Sequence, residues 1–107
     1  KFNIHNILFR RDKITLRILD MLGDPTGNKK DIFSSINELN SYINQEVNLS
    51  YSYINQREHL LLARVYKKFN LNKKSENHYK ELVREIKGQN IKNKAWLTEA
   101  NQFLENK

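Results

Sequence analysis

Cysteine is absent from the 107 residues, which excludes disulfides and thiolate metal sites and leaves the redox compartment unreadable. No apolar run approaches the roughly 18 residues of a membrane span, and no signal-type apolar segment opens the chain. The start at Lys1, without an initiator methionine, reads as an excerpt or a processed product. Alternation with period two is missing too, so nothing argues for a strand. Catalytic signatures are also lacking. His5, His59 and His78 are scattered without an HExxH, HxH or cysteine companion and read as surface histidines rather than metal ligands. Glu81 and Glu85 form one i, i+4 pair around Arg84 with no partner cluster, a pattern that solubilises a helix more often than it moves protons. No Ser-His-Asp order exists, and Gly27 with Lys29 and Lys30 lacks both the spacing and the preceding strand of a phosphate loop. The expectation is a non-enzymatic protein without cofactor or metal.

What is present is helical periodicity. Ile4, Ile7, Leu8, Arg11, Thr15, Ile18, Leu19 and Leu22 recur at three-to-four spacing, predicting a helix over 4–22 with two polar interruptions and Gly23 as its C′ residue. Pro25 and two glycines crowd residues 23–28 into a tight loop. Ile32, Phe33, Ile36, Leu39, Ile43 and Val47 predict a second helix over 30–46, with Asp31 suited to its positive end. Tyr51, Ile54, Leu61, Leu62, Val65, Tyr66 and Phe69 mark a third and most apolar helix, which Asn70 can end by taking a left-handed backbone. Ser75, as N-cap or first-turn residue, opens a fourth carrying Tyr79, Leu82, Val83 and Ile86 and closed by Gly88. Trp96, Leu97, Ala100, Phe103 and Leu104 stripe a fifth over 92–105. The fold class is therefore all-α, about five helices in antiparallel hairpins forming a stack or small bundle. A chain of this length makes one domain, 1–107, with a divergent N-terminal helix pair over 1–50.

Within residues 57–104 the helices carry a second pattern. Leu62, Ala63 and Tyr66 precede a turn at Asn70 and are followed by Ser75, Tyr79 and Leu82; Ala95, Trp96, Ala100 and Phe103 begin a further copy. Small residues let two helices approach, and the aromatic residues seal them. This arrangement resembles a tetratricopeptide repeat. His59 stands where that family prefers Trp, Lys87 where it often has Pro, and Glu99 where the second copy would have Leu. Ala63 and Ala100 are 37 residues apart rather than 34, which lengthens the connecting loop. The resemblance implies a stack of hairpins whose first helices line an inner face, here Arg57, Leu60, Arg64 and Lys67, then Lys94, Leu97 and Asn101.

The charge supports a binding role. The net charge of +7 sits entirely on residues 57–94, where 11 Lys and Arg face 4 Glu. Such a region favours acidic partners, and the expected function is a scaffold that binds another protein or an acidic peptide through a basic helical face. Leu60 and Arg64 do not reproduce the Lys/Asn pairing with which some family members clamp a terminal carboxylate. Phe103 and Leu104 extend the last stripe beyond what one neighbouring helix covers, so Phe103 is a further candidate for partner contact or homo-oligomer formation. The alternative is a helix-turn-helix over 45–57, with Ser50 as cap and Ser52, Tyr53, Asn55, Gln56 and Arg57 reaching nucleic acid.

Overall fold

The computed structural model describes residues 4–24, 28–45, 52–88 and 93–106, with all their side chains except those of 4–7, 44–45 and 52–54. The fold is all-α. Five helices are present: α1 Ile4–Gly23, α2 Lys29–Gln45, α3 Ser52–Lys68, α4 Asn72–Lys87 and α5 Lys94–Glu105. No strand occurs among the described residues. The helices fall into two compact units, residues 1–47 and residues 48–107.

In the first unit α1 packs against α2. Ile14 and Ile18 are buried on α1, and Ile32, Ile36, Leu39 and Ile43 on α2, at the spacing that one helix face provides. Each such side chain contributes roughly 1.5–3 kcal/mol by leaving water. Arg17 pins the pair from the rim: its Nε donates to Ser35 Oγ at 3.1 Å and its Nη2 to Glu38 Oε1 at 2.7 Å. α2 begins on Asn28, whose side-chain oxygen accepts from the backbone N–H of Lys30 at 2.9 Å, while Asp31 lies in the first turn. The buried stripe of α1 differs from its expected form. Arg11, Thr15 and Ile18 are on it, but Ile14 replaces Leu19, which is exposed. Arg11, Ile14, Thr15 and Ile18 centre the buried face, and Leu19 lies at its edge, about 80° from Arg11 around the helix, where it meets solvent. Gly23 is the last helical residue rather than a left-handed cap.

In the second unit α4 packs against both α3 and α5. α3 ends as its residues demand. Asn70 adopts φ 60°, the backbone N–H of Leu71 reaches Tyr66 O at 2.9 Å, and that of Asn70 reaches Lys67 O at 3.0 Å. This is the paired 6→1 and 5→2 closure of a left-handed C-terminus, with Asn in the place Gly usually fills. Only Phe69, Asn70 and Leu71 then separate α3 from α4, so the two helices run antiparallel. Small residues set their distance: Ser75 Oγ donates to the Ala63 carbonyl at 2.7 Å, both residues being fully buried. Ser75 is thus not a cap, since α4 opens on Leu71 without a side-chain cap bond. It lies one turn in, and a hydroxyl that satisfies a neighbouring helix's carbonyl stands where any larger side chain would push the helices apart. α5 starts on Asn93, whose side chain accepts from the N–H of Trp96 at 3.2 Å. The core of this unit is Leu60, Ala63, Tyr79, Leu82, Ile86 and Ala100, with Val83, Trp96, Leu97, Phe103 and Leu104 half-buried against it. Contacts Arg64–Glu99 and Lys67–Phe103 step the same way along both helices, so α3 and α5 run parallel with α4 reversed between them.

Candidate functional site

A stripe of four residues along α5, Glu99, Gln102, Phe103 and Asn106, is spaced i, i+3, i+4 and i+7 and so occupies one side of the helix. With Ala100 buried on the core side, that stripe faces outward beside α3. Opposite it are Lys67 at the end of α3, Asn70 in the turn and Asn72 at the start of α4. Together they line an open groove of about 750 Å³.

Glu99 organises the wall of this groove. Arg64 donates to it through its fork, Nε to Oε2 at 2.9 Å and Nη2 to Oε1 at 2.6 Å, and the Tyr79 hydroxyl donates to Oε2 at 2.8 Å. These donors stabilise the anion, so the hydrogen bonds from Arg64, ahead of the one from Tyr79, hold the Glu99 carboxyl below the usual carboxylate range. Burial, then the bond to Glu99, pushes the Tyr79 phenol up and keeps it a neutral donor. Tyr79 in turn backs Phe103, ring centroids 4.8 Å apart and tilted by 36°, and Lys67 Nζ lies 5.8 Å from the centre of the Phe103 ring. The guanidinium of Arg64 is committed to Glu99, which leaves Lys67 as the cation presented to the groove.

The residues expected to meet a partner, the inner face and Phe103, divide accordingly. Arg64, Lys67 and Phe103 are brought together beside the groove. Leu60 is a core residue and Leu97 packs half-buried on that core, so neither is offered to a partner as a free side chain. Lys94 and Asn101 are exposed but do not line the groove, and Arg57 is half-buried. Tyr79, Gln102, Asn106, Asn70 and Asn72 were not among the expected residues. The one signal for the site was Glu99, a carboxylate where the repeat pattern places Leu.

No family model, curated protein or solved structure matches this chain.

His59 and His78 overturn their reading as surface residues, while the side chain of His5 lies outside the described ones. His59 is buried, and its Nδ1 lies 3.0 Å from that of His78 across the α3–α4 hairpin. The antiparallel turn at Asn70 brings positions 19 apart in sequence face to face. Tyr66 stacks on His78 at 5.5 Å with the planes 17° apart. Burial, then the neighbouring His59, lowers the His78 pKa to about 4. Among the described residues no three His, Asp or Glu side chains gather where a metal ion could be held. Arg84 pairs with Glu81 on an exposed face of α4. No described helix is long and apolar enough to cross a membrane. Of the 45–57 segment, residues 46–51, with the expected cap Ser50, and the side chains of Ser52 and Tyr53 lie outside what is described; Asn55 and Gln56, expected to reach bases, are buried.

Proposed function

We propose that the 48–107 unit is a non-enzymatic protein-interaction module, a tetratricopeptide-like hairpin and half, that takes a peptide segment of another protein in the groove beside α3 and α5. The groove itself is the observation that carries this reading: it is open, about 750 Å³ in volume, and lined by side chains suited to a peptide. Asn70, Asn72, Gln102 and Asn106 each offer both a donor and an acceptor, as a peptide backbone requires. Lys67 supplies the charge for an acidic side chain, and Phe103 a flat apolar contact beside it. The parallel run of α3 and α5 about antiparallel α4 supports the same reading, because first helices of successive hairpins in a stack run parallel.

Peptides selected from a random display library against the whole protein provide the test, mapped by amide chemical shifts. Shifts are expected at Lys67, Asn70, Gln102, Phe103 and Asn106, and acidic residues should be enriched in the selected peptides. Lys67→Glu and Phe103→Ala should each weaken binding by roughly tenfold, the loss typical of an interface anchor, with helix content unchanged. Selected peptides that bind elsewhere, or that are indifferent to both substitutions, would end this reading.

A further inference from the structure

The 1–47 unit has a cleft of its own, which the peptide groove does not explain. It opens between α1 and α2, has a volume of about 280 Å³, and is lined by Arg10, Lys13, Ile14 and Arg17 of α1 with Glu38 and Tyr42 of α2. Arg10, Lys13 and Arg17 stand at i, i+3 and i+7, within an arc of roughly 60° at about 100° per residue, so one side of α1 presents a row of three cations. Neighbours of like charge at these spacings repel and weaken a helix. The chain relieves only part of this. Arg17 is held by Ser35 and Glu38, whose carboxylate cancels its charge. Arg10 has no ion-pair partner among the described residues, and Lys13 has the Phe9 ring, its centre 5.2 Å from Nζ, but no carboxylate. Of the acids on α1, Asp12 lies across the helix and Asp20 beyond Arg17, and neither lines the cleft.

Two uncompensated positive charges in a cleft of this size select the ligand. The volume lies at the lower end of small-molecule sites, and a helix, at about 10–12 Å across, does not enter it. A phosphate monoester is close to a dianion at neutral pH and carries three acceptor oxygens. The Arg10 guanidinium offers a planar fork that matches two of them, and the Lys13 ammonium a compact charge for the third. Tyr42, half-buried on the opposite wall, adds a hydroxyl donor. A monocarboxylate would satisfy only one of the two charges. We infer that the α1–α2 cleft is a binding site for a small phosphate-bearing molecule, its phosphoryl group held by Arg10 and Lys13 with Tyr42 as a further donor. The Arg17–Glu38 pair bridges the two walls and fixes the width of the cleft. The site is independent of the peptide groove, which belongs to the other unit.

Amide and arginine side-chain shifts of the whole protein, titrated with phenyl phosphate and with inorganic phosphate against sodium chloride of equal ionic strength, test this. Saturating shifts are expected at Arg10, Lys13 and Tyr42, and acetate should produce none that saturate. Arg10→Gln and Lys13→Gln, both at exposed positions, should each weaken phenyl phosphate binding by roughly tenfold, the loss of one charged hydrogen-bonding group, with helix content unchanged. Lys73→Gln, an exposed lysine of the other unit, should leave that binding unchanged. Phosphatidylcholine vesicles with and without phosphatidylinositol phosphate distinguish a free ligand from a lipid headgroup, since a phosphate recognised only at a membrane would hold the protein on the doped vesicles while the soluble probes fail. That result, shifts that grow without saturating, shifts shared among the exposed lysines of residues 57–94, or an affinity indifferent to both glutamine substitutions would each overturn the inference.

Discussion

Two imidazoles with their Nδ1 atoms 3.0 Å apart can hold one proton between them but not two, and His59 and His78 are in that position inside a hairpin. The His78 pKa falls to about 4 in the fold from 6.5 outside it, by burial and by the neighbouring His59, with Glu81 opposing. Between those values the unfolded chain binds the proton and the folded chain does not. The associated stability is therefore fully present above about pH 6.5, declines as pH falls toward 4, and is constant below that. Allowing for the partial exposure of His78, the loss is about 2–3 kcal/mol. The urea midpoint should fall over this window in the native protein and stay nearly flat in His78→Gln. A native midpoint that is also flat would show that the pair does not oppose protonation. Glu99, whose carboxyl is lowered by Arg64, adds its own loss only below its ordinary value of 4.5, so the two effects separate on the pH axis. Neither pair was legible in the sequence. His59 and His78 are linked by the exact registry of two helices, and Glu99 gains its role from Arg64, 35 residues away, and from Tyr79, 20 residues away. Composition and spacing report on neighbours along one helix, not on partners across three.

At the scale of elements, small residues decide how close helices come. Ala63 is fully buried, and its carbonyl takes the Ser75 hydroxyl, so at this crossing backbone meets side chain with no room for a longer group. Ala63→Leu should force the helices apart at a cost of about 1–3 kcal/mol and lower the melting temperature, measured by circular dichroism. Unchanged melting would mean that the α3–α4 contact is elsewhere. The positions of the helices were readable because apolar residues recur every three to four places in all five, and the turn was readable from Asn70. Details failed at the edge of a face and where a polar residue took a buried place. On α1 the three-to-four spacing places Arg11, Thr15 and Ile18 on the stripe, as they are, but it fits Leu19 next to Ile18 as well as it fits Ile14, and only Ile14 is buried. On α3 the buried set includes Asn55, Gln56, Glu58 and His59 beside the expected Leu62, Val65 and Tyr66. A helix with buried polar residues hides part of its inward face from any search for apolar spacing.

For the molecule as a whole, a net charge of +7 carried by residues 57–94 guarantees some attraction to any polyanion, which makes nucleic acid the natural rival to a peptide partner. The two partners differ in what they require. A duplex reader must present polar side chains to base edges, and Asn55 and Gln56, the amides placed to do so, are buried, while Arg64 is held by Glu99. Exposed lysines such as Lys67, Lys68, Lys73 and Lys74 supply an attraction that reads no sequence. Counterion release then dictates the outcome: duplex binding measured by fluorescence anisotropy should be weak, fall steeply as salt rises from about 50 to 200 mM, and show no preference between unrelated sequences. Arg57→Ala should change it only slightly, as the loss of one charge among many. Sequence-selective binding that survives at the higher salt and disappears in Arg57→Ala, with helix content intact, would instead make the 45–57 segment the functional surface and displace the peptide groove from that role.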